Sequence, residues 1–195
     1  MFAAHGFDGT TTREIAANAD VNLGLLQYHF GSKEQLWRAA VDRVFEALWT
    51  ALEAAAPRDP ADPDHLAEIV RVAVRFAARH PALIRLMNDE GTRDGPRLRW
   101  LVDRHGRRLY ELAAAVVGRT RERGRLADVA PVHLYYVFIG AVGTIFSQAA
   151  ECRRLTGIDP TASPAMIEAH AEVVVRLFTG GIAAVASRPP GSRSA

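Results

Sequence analysis

Between its breaker clusters this chain repeats its apolar residues with the 3.6-residue period of a helix. No stretch alternates with period two for long enough to make a strand. That pattern predicts an all-α fold, and the breakers mark its joints. The stretch "PRDPADPD" (57–64) is dense in proline and aspartate and reads as a loop. Its last residue, Asp64, is placed to cap a helix that ends before Pro81. A short helix is expected to start at Pro81, and the next helical stretch, reaching to Gly118, at Pro96, since proline suits the first turn of a helix. "RTRERGRLADVAP" (119–131) reads as a polar connection, and 131–155 as one long helix, apolar almost all round. "TGIDPTASP" breaks that helix, a last helix follows, and residues 188–195 read as a disordered tail.

A helix apolar all round must be covered on all sides. Residues 132–146 have more apolar surface than one neighbour can hide. Met166, Ile167, His170, Val173, Val174, Leu177 and Phe178 form a second apolar face at helical spacing. The simplest cover for both is the same pair of helices from a second copy, so a homodimer with a four-helix interface is expected.

The N-terminal stretch is the most informative. Thr11 and Glu14 form a T-x-x-E capping box, and Ser32 and Gln35 an S-x-x-Q box. Between them lie two short helices meeting at Asp20, a residue that tolerates left-handed backbone. Ile15, Ala16 and Ala19 are expected to face inward, as are Val21, Leu26 and Phe30. Two capped helices joined by a tight turn make a helix-turn-helix, whose second helix enters the DNA major groove. The outward residues there are Asn22, Leu23, Gly24, Leu25, Gln27 and Tyr28. Gln27 can pair with an adenine edge, the leucines can touch thymine methyls, and Gly24 allows close approach to DNA. Tyr28, His29 and Lys33 suit phosphate contacts.

The residues "F-D-G-T-T-T-R-E-I-A … Y-H-F-G-S-K-E-Q-L" resemble the TetR family of bacterial transcriptional regulators over about 30 residues. The only lysine among 24 basic residues, Lys33, falls on the family's lysine. The resemblance implies a DNA-binding head (1–37) and a helical ligand-binding and dimerisation domain (38–187). It implies that Thr12 and Arg13 touch phosphate and a groove edge. Asn22, Leu23, Gly24 and Gln27 would form the reading surface, with Tyr28, His29 and Lys33 as backbone anchors. The implied partners are an operator duplex, a small-molecule effector and a second copy.

Three departures from the family pattern stand out. Asp20 replaces a turn glycine and Gln27 a frequent tyrosine. The first helix is reduced to "MFAAHGF", so the natural start is expected upstream, with Met1 internal. Residues 1–37 carry Arg13 and Lys33 against Asp8, Glu14, Asp20 and Glu34, two positive against four negative, a net of −2. That charge is unusual for a phosphate-binding head. It favours one rival to a repressor, a helical ligand- or protein-binding dimer that does not bind DNA; a second rival is an activator on the same scaffold.

Candidate effector-pocket residues are Met87, Trp100, Tyr110, Tyr135 and Phe138 as walls, with Asn88, Arg104 and His105 as polar handles. The arginines of 97–125 read as a solvated face paired with Asp94, Asp103, Glu111 and Glu122. Histidine and cysteine spacing predicts no metal site, and Cys152 has no partner for an internal disulfide. No phosphate loop or catalytic constellation points to an enzyme, and no cofactor is expected. No apolar run is long enough to span a membrane, and the lone cysteine favours a reducing, cytoplasmic setting.

Overall fold

A computed structural model describes residues 1–55, 65–122 and 129–181. The expected cap Asp64, the loop containing it and the tail lie outside the described residues. Among the described residues there are helices and no strands. In order they are α1 (Phe2–His5), α2 (Thr12–Asn18), α3 (Leu23–Phe30), α4 (Lys33–Ala54), α5 (His65–Arg79), α6 (Pro81–Gly91) and α7 (Pro96–Leu101). A π-turn, Val102–Gly106, leads into α8 (Arg107–Glu122). Then come α9 (Pro131–Ser147), α10 (Ala149–Thr156), α11 (Pro164–Arg176) and a second π-turn, Leu177–Gly181.

Local chemistry explains most of the boundaries. The Thr11 hydroxyl accepts the Glu14 N–H at 3.2 Å, while the Glu14 carboxylate accepts the Thr11 N–H at 2.8 Å, closing the capping box. Those bonds hold the Glu14 carboxyl below its usual range. Asp20 has φ 53°, the only positive φ outside glycine among the described residues. The Ser32 hydroxyl accepts the Gln35 N–H at 3.1 Å, which is one half of the expected second box. Helices α6, α7, α9 and α11 each open on proline.

Two apolar clusters hold the rest. One joins α5, α9 and α11 through Val70, Val74, Phe146, Ala171 and Val174. The other joins α4, α5, α6 and α7 through Trp37, Val41, Phe45, Phe76, Leu83 and Leu101. At about 1.5–3 kcal/mol for each large side chain fully buried, these clusters dominate cohesion. Gly143 lets α9 approach α6: a Cβ there would meet Ile84 at 3.1 Å. Across the outer face of α5 and α11, Arg71 donates to Glu172 and Arg75 to Glu168, each at 2.7 Å.

The structure corrects four expectations. The segment read as one helix over 131–155 breaks at Gln148, where α9 and α10 meet at 70°. The Ser147 hydroxyl competes for the Thr144 carbonyl at 3.1 Å, and Gln148 leaves helical backbone at ψ 33°. Helix α8 continues to Glu122, into the segment read as a connection. Ala19 is exposed rather than inward. Val21 and Phe30 are 42% and 37% exposed. Helices this short cover little: Ala16 is the buried residue of α2 and Leu26 that of α3. No single described helix is long and apolar enough to cross a membrane.

Candidate nucleic-acid interface and ligand cavity

Helix α3 stands clear of the core on all sides but one. Leu26 packs inward, while Leu25 is 52% and Tyr28 85% exposed. Gln27 and His29 are also exposed, and Leu23 is half-buried. Asn22 is spoken for locally: its Oδ1 accepts the Gly24 N–H at 2.7 Å, capping α3. The Gly24 Cα faces that same oxygen, and a Cβ there would sit 3.0 Å from it. Arg13 is exposed and has no ion-pair partner among the described residues, and Thr12 beside it is half-buried. A capped helix start, an uncovered amide and two uncovered apolar side chains can read base edges and thymine methyls.

Lys33 has a tertiary partner that sequence reasoning missed. Its Nζ lies 4.4 Å from the centroid of the Phe7 ring, and the Arg97 guanidinium lies 4.1 Å from it. Phe7 also meets Trp37 edge-on at 6.3 Å. Arg97 in turn donates to buried Glu90 at 2.9 Å. Phe7 therefore ties the start of α4 to α7. Its position just before the capping box was the available signal.

The cavity is a space of about 380 Å³ lying between the two apolar clusters. Phe45, Leu48 and Leu83 of one cluster and Ala77 and Val142 of the other line it. Of the expected pocket residues, Met87, Asn88, Tyr135 and Phe138 line it. Trp100, Arg104, His105 and Tyr110 do not line this cavity. Tyr110 is one ring removed, edge-on to Tyr135 at 5.5 Å. Trp100 packs on Trp37 at 5.5 Å. Arg104 and His105 both turn to Asp42, at 3.3 and 2.7 Å.

His105 is buried in the first π-turn and stacked 4.0 Å from Phe45. Burial pushes its imidazole below the usual histidine range, against the pull of Asp42. The neutral ring therefore donates Nε2–H to the carboxylate. Burial pushes the Tyr135 phenol up, so it stays an O–H donor. The lining residues on α4 (Phe45, Leu48 and Leu52) were legible as an i, i+3, i+7 face. Periodicity marks such a face as covered without saying that it borders a void.

The arginines at 97–108 are mostly paired, but across elements as well as within them. Arg99 meets Asp94 at 3.4 Å and Arg107 meets Asp103 at 3.3 Å, whereas Arg108 reaches Glu53 on α4 at 3.4 Å. The arginines at 119–125 lie outside the residues whose side chains are described. Among the described residues no cluster of three or more histidine, cysteine or acidic side chains could hold a metal.

Residues 1–40 match the family described as "Bacterial regulatory proteins, tetR family", and residues 63–177 match "Tetracyclin repressor-like, C-terminal domain". The transcriptional repressor NicS of Pseudomonas putida is 30% identical over 122 residues, which are 62% of this chain and 55% of that protein. The chain thus spans about half the length of that relative. The transcriptional regulator RutR of Escherichia coli K12 is 26% identical over 156 residues, 80% of this chain and 73% of that one. Among solved structures, the ketosteroid transcriptional regulator KstR2 of Mycobacterium tuberculosis superposes with a TM-score of 0.64 at 23% identity, covering 93% of this chain and 88% of that one. A TetR-like regulator from Rhodococcus sp. RHA1 gives 0.60 at 21%, covering 93% and 89%. These two share the fold.

Proposed function

We propose, from the premise that the chain belongs to the TetR family of bacterial regulatory proteins, that it is a ligand-responsive homodimeric repressor acting in the cytoplasm. Each subunit offers α3 to one major groove of a near-palindromic operator, with half-sites about 34 Å apart. The observation that carries this reading is the exposure of Leu25, Gln27 and Tyr28 on a helix capped at its start and set by a left-handed turn. A short helix has no structural use for such uncovered side chains. Thr12, Arg13, Tyr28 and His29 serve as phosphate contacts. Lys33 orders the head through Phe7 as well as lending its charge to the backbone.

Regulation runs through α4. Its first turns carry Lys33 and Trp37 beside the head, and its later turns carry Phe45, Leu48 and Leu52 on the cavity wall. The 15 residues between Trp37 and Leu52 span about 22 Å as one rigid helix. A ligand in the cavity pushes one end of this lever and tilts the other. It alters the half-site spacing only in so far as it binds the two tilts unequally. The second copy covers the bare face of α9, α11 and the second π-turn, where Tyr136 is 65%, Val137 58%, Val173 49% and Leu177 47% exposed.

Fluorescence anisotropy of a labelled duplex from upstream of the protein's own gene tests this reading, at two salt concentrations. A random-sequence selection follows if that duplex fails. Specific binding by two chains per site is expected, with Gln27→Ala losing about 1–3 kcal/mol of discrimination at one base pair. The net −2 on residues 1–37 and the Lys33–Phe7 contact favour a second reading, a helical dimer silent toward DNA. Failure of both the duplex and the selection would establish that one instead.

A further inference from the structure

The cavity wall specifies what kind of molecule it accepts. Among the described residues no aspartate, glutamate, lysine, arginine or histidine lines it. The cationic handles expected from sequence and the neighbouring Arg108 are committed elsewhere: Arg104 and His105 to Asp42, and Arg108 to Glu53 with its guanidinium 3.9 Å from the Trp49 ring centroid. A charged group carried into such a wall would lose its water and gain no counter-ion. Four lining residues carry polar side chains: Asn88, Tyr135, Tyr136 and Thr144. Asn88, Tyr136 and Thr144 are exposed, whereas Tyr135 is half-buried, and its hydroxyl meets no hydrogen-bond partner among the described residues.

We infer that the cavity takes an uncharged, predominantly apolar molecule that presents a hydrogen-bond acceptor to the Tyr135 hydroxyl. Volume sets its size. About 380 Å³ lies toward the small end of small-molecule sites, which run about 300–1,000 Å³, and this favours a small ligand. The inference rests on the cavity being the effector site, and it deepens that reading by naming the ligand's chemistry. It also explains why the cationic handles expected from sequence are missing from the wall. Arg104 and His105 act on α4 from outside the cavity, through Asp42 and through the far face of Phe45. A carboxylic acid entering the cavity would have to be protonated first. Its apparent affinity would fall about tenfold for each pH unit above its own pKa.

The test compares 1-decanol with decanoate, two molecules of nearly equal size that differ in charge. Both are titrated into the full chain at pH 6 and pH 8, with binding read by calorimetry and by the rise in thermal midpoint. The expected result is decanol binding with the same affinity at both pH values and at least about 30-fold more tightly than decanoate at pH 8. Tyr135→Phe is expected to weaken decanol about three- to tenfold. Ala73→Phe and Ala113→Phe, which fill the space from two different helices, are each expected to abolish binding. Retained helicity in either one separates filling from misfolding.

Decanoate binding as tightly as decanol at pH 8 would overturn the inference, as would failure of both to bind. Decanol binding that survives both filling variants would place the alcohol elsewhere, with the same consequence. An affinity untouched by Tyr135→Phe would overturn the assigned hydrogen bond. None of these readouts uses DNA. Decanol that binds as described while leaving operator binding unchanged would sink the effector reading and leave the chemistry of the cavity standing.

Discussion

The N-terminal helices and the helical body behind them use apolar residues in opposite ways. In α2 and α3 only Ala16 and Leu26 are buried, and Val21, Leu25, Tyr28 and Phe30 are left on the surface. In the body, Phe146, Val70, Val74 and Leu101 are fully enclosed, yet a space of about 380 Å³ remains nearby, walled by Phe45, Leu83, Ala77 and Val142. The head's shape is held by caps and a turn, and its apolar surface is free for contact. The body's shape is held by packing, and it encloses a space instead. One region leaves its apolar side chains facing outward, and the other turns them toward an internal space. The seam between them is the aromatic contact of Phe7 with Trp37, flanked by two cations.

Core truncation should separate the two regions most sharply. Phe146→Ala is expected to cost about 3–5 kcal/mol in urea unfolding, because a fully buried ring leaves a cavity behind. Tyr28→Ala, at a residue 85% exposed, should stay within about 0.5 kcal/mol of the parent while weakening operator binding about tenfold. A large stability loss at Tyr28 would break the comparison. Glu90→Ala tests the seam. It strips Arg97 of its carboxylate in a site where Glu90 is 5% exposed, and about 2–3 kcal/mol is expected. Loss of the Phe7 contact should follow and loosen the head, visible as faster amide exchange in α2.

Thr11→Ala should cost about 1 kcal/mol, the usual worth of an N-cap, and should fray α2 without moving the body. The smallest effects are those of acid. His105 and His80, both in the body, have imidazoles pushed below their usual range by burial. The unfolded chain therefore takes up protons first. Stability present above about pH 6.5 should decline as pH falls through that value, and His105→Gln should flatten the slope. Glu168 and Glu172 are held low by Arg75 and Arg71, and Glu14 by Thr11. Their contribution is present above about pH 4 and is lost as pH falls into their lowered range. Thermal midpoints from pH 8 to pH 3 check both steps, and a flat profile would contradict them.

The head was more legible in the sequence than the cavity. Thr11 with Glu14, and Asp20 at φ 53°, act between residues a few positions apart, so type and spacing were enough to read them. The burial of α2 and α3 was misjudged because amphipathic spacing overstates how much a three-helix head can cover. Residue type alone points to Met87, Asn88, Tyr135 and Phe138, which line the cavity, and equally to Arg104 and His105, which do not line it. Whether a polar side chain enters a cavity depends on what else competes for it. Here Asp42, 62 residues from Arg104 and 63 from His105, wins both.

By itself the sequence determined the all-helical class, the proline starts of α6, α7 and α9, the capping box, the left-handed turn and the family motif. Each of these is short-range: a cap needs a side chain three residues away, and a proline needs only its own ring. Only the tertiary structure decided that two apolar clusters would meet imperfectly and leave a void. It also decided that Lys33 would share Phe7 with Arg97, and that α9 would end in a 70° bend at Gln148. Those outcomes follow from which of several near-equivalent apolar faces pack together. Shape complementarity among distant residues settles that choice, and the helical period is blind to it.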